Sequence, residues 1–560
     1  MSYLRFCLPL LCWACLGAQA ASAHFLWLRT EPAERPAKVR VFFGEAAEPD
    51  DPELLDRVQS AEVWLLGGRR SEPKPLTLKK GEAALEAELP AGASPAAVIL
   101  RCNYGVISRA GEPFLLQYYG KTYPSVLPGS WQAVGDKERL PLEIVPTLEG
   151  DTMLFEARWQ GKPLAGATLT IAGPGLEEKW EAETDEKGAC RCRLPGDGVY
   201  SIRLRQVENT AGEQDDQAYQ SIRRYSTLTL PYARPRLTPE KAQLPDLPQG
   251  TTSFGGAVAG DVLYVYGGNY GSAHEYSMEG QSGDLHMLNL ARPSDDWKDL
   301  PGGPKLQGLA LVEHQGLLYR VGGFSAQNHE GEDSDLRSQR YFARYSPASK
   351  TWEDLPELPE ARSSHDAAVG GNILYVAGGW NMQGSGQEAK WHDTAWSIDL
   401  SAKPLAWKQL PAPPFKRRAL SLATWQGKLY CIGGMLEEGG PTTAVDVYDI
   451  AKKTWSEGPA LLGGAMDGFG SSAFACHGSL YVTTISGSIQ RLADDGSRWE
   501  FAGQLANPRF FHRMLPWADE KLVLVGGGNM STGKIVELEM LNVKQRPMDQ
   551  LTKGAGPVSP

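Results

Sequence analysis

The second half of the chain alternates apolar and polar positions in short runs that repeatedly end in two glycines. Tyr264-Val-Tyr-Gly267-Gly268, Tyr319-Arg-Val-Gly322-Gly323, Tyr375-Val-Ala-Gly378-Gly379 and Tyr430-Cys-Ile-Gly433-Gly434 are four such runs, with their leading tyrosines 55, 56 and 55 residues apart. Each unit also carries a tryptophan near its end, at Trp297, Trp352, Trp407 and Trp455. A repeat of roughly 50 residues marks stacked supersecondary units that bury their apolar faces only against one another. In "GNILYVAGG" the alternation predicts a strand packed between neighbouring units, and the glycine pair lets the chain leave it without Cβ clashes. The tryptophan of "KTWEDLPELP" is expected on the outermost strand, covering the adjacent unit. No helix and no Lys-Ser/Thr follows the glycines, so they do not read as a phosphate cradle.

Two further units are irregular. "GSLYVTTISG" carries Thr483-Thr484 in place of the glycine pair and is followed by Trp499, whereas "KLVLVGGG" keeps Gly526-Gly527 but has no tryptophan strand after it. The missing strand has a candidate upstream, because "KAQLPDLPQG" (241–250) copies the "WEDLPELPEAR" ending that begins at Trp352. These motifs, over roughly residues 240 to 545, resemble the kelch family. The resemblance implies a six-bladed β-propeller, with the ring closed by an N-terminal strand that leaves no open sheet edge.

The first half is strand-rich and helix-poor. "AKVRVFFGE", "AEVWLLGG", "AAVILRCNYGVI" and "PFLLQYYGKTY" are β-branched and aromatic runs between Pro, Gly and acidic turns. A second set begins near Leu148, with "GKPLAGATLTI" and "TDEKGACRCRL" as strand-turn-strand signals. The expected fold is therefore all-β: tandem β-sandwich (Ig-like) domains followed by the six-bladed kelch β-propeller. The expected boundaries are a signal peptide at 1–23, sandwiches at 24–145 and 146–235, the propeller at 236–548 and a tail at 549–560.

At 560 residues and a net charge of -11, the chain is too acidic for nucleic-acid phosphates or an anionic membrane surface. Arg5, the apolar "FCLPLLCWACLGA" and Ala21-Ser22-Ala23 make an export signal. The expected location is therefore periplasmic or extracellular, and no segment is long enough to span a membrane. Removing the signal leaves Cys102, Cys190, Cys192, Cys431 and Cys476. An odd count excludes full internal pairing, leaving either one disulfide plus buried thiols or a thiolate metal site.

Cleavage after Ala23 exposes His24 as an N-terminal residue, whose α-amine and imidazole form a chelate suited to Cu(II) or Ni(II). "SAHFLWL", "VRVFFGE", "QYYGKTYP", "GKPLAGATLTI" and "TDEKGA" resemble an exported family of nickel-uptake, substrate-binding-like domains. That resemblance implies a β-sandwich with a metal tendency centred on His24. The chain departs from the pattern, because no further histidine precedes His274 and Gln206 and Arg224 stand where an imidazole would suit a site.

On the propeller, long loops after the glycine pairs of the first three units form one raised side, with His274, Glu275, Tyr276, His329, Trp380, Trp391 and His392. Segments between units bring Arg362 with His365, Arg417 with Arg418, and Arg509 with His512 to the same face. Arginines near the axis beside aromatic walls would suit an anionic sugar or carboxylate. The alternative is that Arg-x-x-His is structural, with each arginine bonding backbone carbonyls. Three functions stay open at this stage. The first is a non-enzymatic binding protein for a protein, glycan or small anion. The second is a sugar mutarotase or epimerase at the Arg/His face, and the third is a Cu or Ni carrier through His24. Kelch copper oxidases need a Cys-linked tyrosine, which Cys431 and Cys476 do not suit, and no Ser/His/Asp or His-Glu-x-x-His motif is present.

Overall fold

The computed structural model describes residues 24–31, 37–67, 72–90, 96–108, 111–272, 275–518 and 520–544. The expected signal segment (1–23), the expected tail (549–560) and His274 lie outside the described residues.

The first half is built around one eight-stranded sheet. Its order is Trp180–Glu183, Thr168–Ala172, Gly198–Glu208, Ser221–Tyr232, Phe114–Thr122, Ala97–Ile107, Glu62–Leu66 and Lys74–Leu76. Side chains alternate across it. Val98, Leu100 and Cys102 join Trp27 and Val41 in one core, while Ala97 and Ile99 join Phe155, Leu169 and Tyr200 in the other. The first core is closed by the sheet containing Phe25–Glu31 and Lys38–Gly44, and the second by the sheet containing Leu142–Glu149 and Thr152–Trp159.

The two sandwiches expected in tandem therefore share their middle layer. They are joined where Ser221–Tyr232 pairs in parallel with Phe114–Thr122, from Ser221↔Phe114 to Thr229↔Thr122. A parallel pair needs a long crossover, and the whole second sandwich supplies it. Thr227 clamps the layers by donating its hydroxyl to the Leu26 carbonyl at 2.6 Å.

Among the described residues, the second half contains six four-stranded antiparallel sheets. Their first strands, Gly255–Ala259, Ala310–His314, Asp366–Gly370, Ser421–Trp425, Ser472–Cys476 and Arg513–Trp517, neighbour one another in a closed cycle, which is the arrangement of propeller blades. The last sheet takes its outer strand from upstream. Glu240 and Lys241 pair with Met540 and Glu539, and the Ala242 and Leu247 amides reach the Leu538 and Val536 carbonyls, both at 2.9 Å.

The tryptophan and Leu-Pro repeats explain each other. Trp352, Trp407, Trp455 and Trp499 donate their indole N–H to Pro301, Pro356, Pro411 and Pro459 carbonyls at 2.8–2.9 Å, so each outer strand is pinned to the preceding blade. Trp297 finds its proline in the upstream segment, donating to Pro245 at 3.3 Å. The glycine pairs take positive φ, and at Gly322 (φ 56°) a Cβ would stand 2.4 Å from the Arg362 carbonyl oxygen.

The first half docks on the fifth blade. Phe501 completes the core that holds Trp131 and Leu127, and the Arg236 and Leu237 amides both donate to the Ala502 carbonyl at 2.8 Å.

Candidate functional site

One residue per blade, just before each first strand, adopts a left-handed conformation: Ser253, Gly308, Ser364, Ala419, Gly470 and Phe511, with φ of 50–61°. Their backbones are linked around the axis. Gly308 N donates to Ser253 O, Ser364 N to Gly308 O and Ala419 N to Ser364 O, each at 2.7 Å; Gly470 N donates to Ala419 O at 3.1 Å and Phe511 N to Gly470 O at 2.8 Å. This girdle surrounds a pocket of about 290 Å³ on the long-loop face.

The pocket wall is rigid because the three long loops interlock. Gln281 exchanges hydrogen bonds with the Ala326 backbone at 2.9 and 2.8 Å, Asn328 donates to the Tyr276 carbonyl at 2.7 Å, and the Met382 amide donates to Ser338 Oγ at 2.9 Å. Tyr276, Phe324 and Trp380 line this side, with Phe254 and Phe511 elsewhere on the rim.

Two guanidiniums line the pocket. Arg418 lies over Trp380, 4.1 Å from its ring centre, and 5.5 Å from that of Trp391. Among the described residues its Nη2 meets only the Met435 thioether, at 3.0 Å, and neither its buried Nε nor the Trp380 indole N–H has a partner. Burial lowers the Arg418 pKa from its ordinary value, but a guanidinium keeps its charge at neutral pH. Arg513 instead crosses the axis from the sixth blade to the opposite third blade, where Nη1 bonds Asp366 Oδ1 at 2.9 Å. The other carboxylate oxygen of Asp366 accepts from the Leu422 amide at 2.9 Å. Beyond this pair, a second cavity of about 320 Å³ runs between the first strands toward the far face.

The predicted site residues divide sharply. His365 and His512 line the pocket, and burial pushes both pKa values well below the usual histidine range, so they stand there as neutral rings. His512 Nε2 is 2.6 Å from Thr483 Oγ1, which is the use the fifth blade makes of its departure from Gly-Gly.

Arg362, Arg417 and Arg509 take the structural alternative left open by the sequence, each bonding backbone carbonyls. All three are fully buried and tie the first glycine of their blade to its third-strand region. Arg362 reaches the Gly378 and Thr394 carbonyls at 2.7 and 2.9 Å. Arg417 reaches those of Gly433 and Ala444 at 3.0 and 2.6 Å, and Arg509 those of Gly526 and Glu537, both at 3.2 Å. Arg417 also pairs with Asp446, and Arg509 with Glu539. His392 is likewise buried. Its Nε2 donates to the Ala361 carbonyl at 2.9 Å, and burial pushes its pKa down to about 4. His274 lies outside the described residues, so the structure does not place it.

Arg513 escaped the sequence reading because "FFHRM" gives no sign that its side chain spans the axis. Phe254 and Phe511 escaped it as ordinary core aromatics. Arg418 carried a usable signal, since only one of two adjacent arginines can take the structural position.

In the first half, His24 packs on Phe43, with ring centres 5.6 Å apart, and its Nε2 lies 3.4 Å from Asp50. Among the described residues no group of three or more His, Cys, Asp or Glu side chains could hold a metal ion. The amine half of the expected His24 chelate exists only after cleavage, and the segment before His24 lies outside the described residues. The cysteines correct the disulfide expectation. All five are free, because Cys102 lies in one core and Cys190 in the other, with the eight-stranded sheet between them. Burial pushes Cys190 up to about 11 and Cys192 up to about 12, so neither is a ready thiolate.

Residues 416–462 match the Kelch motif. The chain is similar to Kelch-like protein 35 of Mus musculus, 28% identical over 39% of this chain and 32% of that protein. It is also similar to an N-acetylneuraminate epimerase of Haemophilus influenzae, 27% identical over 44% of this chain and 72% of that protein. Among solved structures it is similar to "Structure of YjhT", with TM-score 0.44 and 17% identity over 54% of this chain and 98% of that one. The second half is thus a kelch-repeat propeller.

Proposed function

We propose that this chain is an exported binding protein whose propeller face holds a small anionic organic ligand, with a sugar acid or comparable carboxylate best suited to the wall. The observation that carries this reading is Arg418, a half-buried guanidinium stacked on Trp380 with no carboxylate or carbonyl partner among the described residues. Charged groups withdrawn from water are ordinarily paired, and buried donors ordinarily find acceptors. A ligand carboxylate would answer both Arg418 and the Trp380 N–H, while Tyr276, Phe324 and Phe511 would cover its apolar faces. Calorimetry with glucuronate, N-acetylneuraminate and neutral glucose tests this. The acids should bind and glucose should not, and Arg418→Gln should remove binding while leaving the melting temperature nearly unchanged. Equal binding of glucose, or unaltered binding by the variant, would reject the reading.

Similarity to N-acetylneuraminate epimerases favours a second reading, catalysis of anomeric interconversion in the same pocket. His365 and His512 are its candidate proton carriers, since both line the pocket as neutral imidazoles. Exchange NMR on N-acetylneuraminate distinguishes the readings. Enzyme-dependent anomer exchange that His512→Asn abolishes supports catalysis, and binding without exchange supports the binding protein alone.

A further inference from the structure

The charge of the upper pocket is set from outside it. Among the described residues no carboxylate lines the pocket, and its charged side chains are Arg418 and Arg513. His365 and His512 lie between blades, where burial leaves them neutral, and burial likewise keeps the Tyr276 phenol protonated. Arg418 has no carboxylate or carbonyl partner among the described residues. Arg513 has one, because its guanidinium reaches across the axis to Asp366, a buried carboxylate below the girdle that faces the second cavity. Asp366 is itself fixed, since its other oxygen holds the Leu422 amide at 2.9 Å. One pocket guanidinium is therefore free and the other is already balanced.

We propose that Asp366 is a specificity-determining residue: by holding Arg513 across the axis, it leaves the pocket one net positive charge and so selects singly charged anions over doubly charged ones. The inference rests on the binding reading above. A second ligand charge placed in this pocket would find only a guanidinium already paired, at the cost of its own hydration. Discrimination here works by withholding a partner, as specificity often does. Arg513 lies on both cavities, so releasing it from Asp366 would add a second cation to the upper pocket without introducing any new residue.

The test uses the full chain and three probes of similar size: glucose, glucuronate and glucose 6-phosphate. The wild-type protein should bind glucuronate best, with glucose 6-phosphate no tighter than glucuronate. Asp366→Asn, which keeps an acceptor for the Leu422 amide, should raise affinity for glucose 6-phosphate about tenfold or more relative to glucuronate. Because that variant disturbs an interblade contact, Arg513→Gln is measured beside it. This change leaves Asp366 unpaired near the pocket, and glucuronate affinity should fall about tenfold. Wild-type preference for the doubly charged probe overturns the inference. So does an unchanged ratio in folded Asp366→Asn, or unchanged glucuronate binding in Arg513→Gln. Failure of the wild-type protein to bind either anion would instead reject the binding reading itself.

Discussion

Inside the fourth blade, Arg417 is sealed from water, pairs with Asp446 and bonds the carbonyls of Gly433 and Ala444. One residue further along the same strand, Arg418 faces the open pocket with an aromatic ring on one side and, among the described residues, no anion on the other. The two side chains are identical and adjacent, so the difference lies entirely in the direction in which the strand turns each of them. The blade interior uses arginine as a bracket for its own backbone, whereas the pocket holds arginine as an unspent charge. Conversion between the two roles is visible at Arg513, which lines the pocket but is balanced from below by Asp366.

The largest effect that would sharpen this contrast is on stability. Arg417→Ala and Arg509→Ala each leave a buried carboxylate, Asp446 or Glu539, together with two carbonyls without their partner, and each should cost about 3–5 kcal/mol. Arg362→Ala should cost less, roughly 1–3 kcal/mol, because its carboxylate neighbour Glu360 is a quarter exposed. Thermal melts give the ranking, and a loss at Arg418→Ala equal to that at Arg417→Ala would break the comparison.

The next effect concerns pH. His392 has a folded pKa near 4 against an ordinary value of 6.5, so as pH falls below about 6.5 the unfolded chain takes the proton first. Stability is then fully present above that range and is lost toward pH 4, by about 3 kcal/mol for this group. His365 and His512 carry the same sign and extend the loss further down. Denaturant melts at pH 7 and pH 4.5 should show the propeller weakened in acid and His392→Gln less affected. An equal loss in the variant would contradict the assignment.

The propeller was legible because its repeat states one environment several times over, so that even the upstream closing strand could be read from the Leu-Pro pattern that receives Trp297. The first half was less legible. Phe114–Thr122 shows short apolar runs rather than clean alternation, Ser221–Tyr232 alternates Thr227, Leu228, Thr229 and Leu230 although all four are buried, and nothing local announces that strands about 107 residues apart pair in parallel. At the site, the face, the long-loop wall and its aromatic residues were readable from loop lengths. Which arginine points inward was not, since Arg362, Arg417 and Arg509 differ from Arg418 only in register against a strand whose twist the sequence does not display.

The smallest expected change in stability is also the most direct test of the binding account. Arg418→Gln and Arg417→Gln are compared by titration with glucuronate and by thermal melting on the same preparations. The account predicts that Arg418→Gln melts within about 0.5 kcal/mol of wild type and no longer binds, whereas Arg417→Gln is strongly destabilised yet still binds below its melting transition. Binding retained by folded Arg418→Gln, with affinity unchanged, would contradict it.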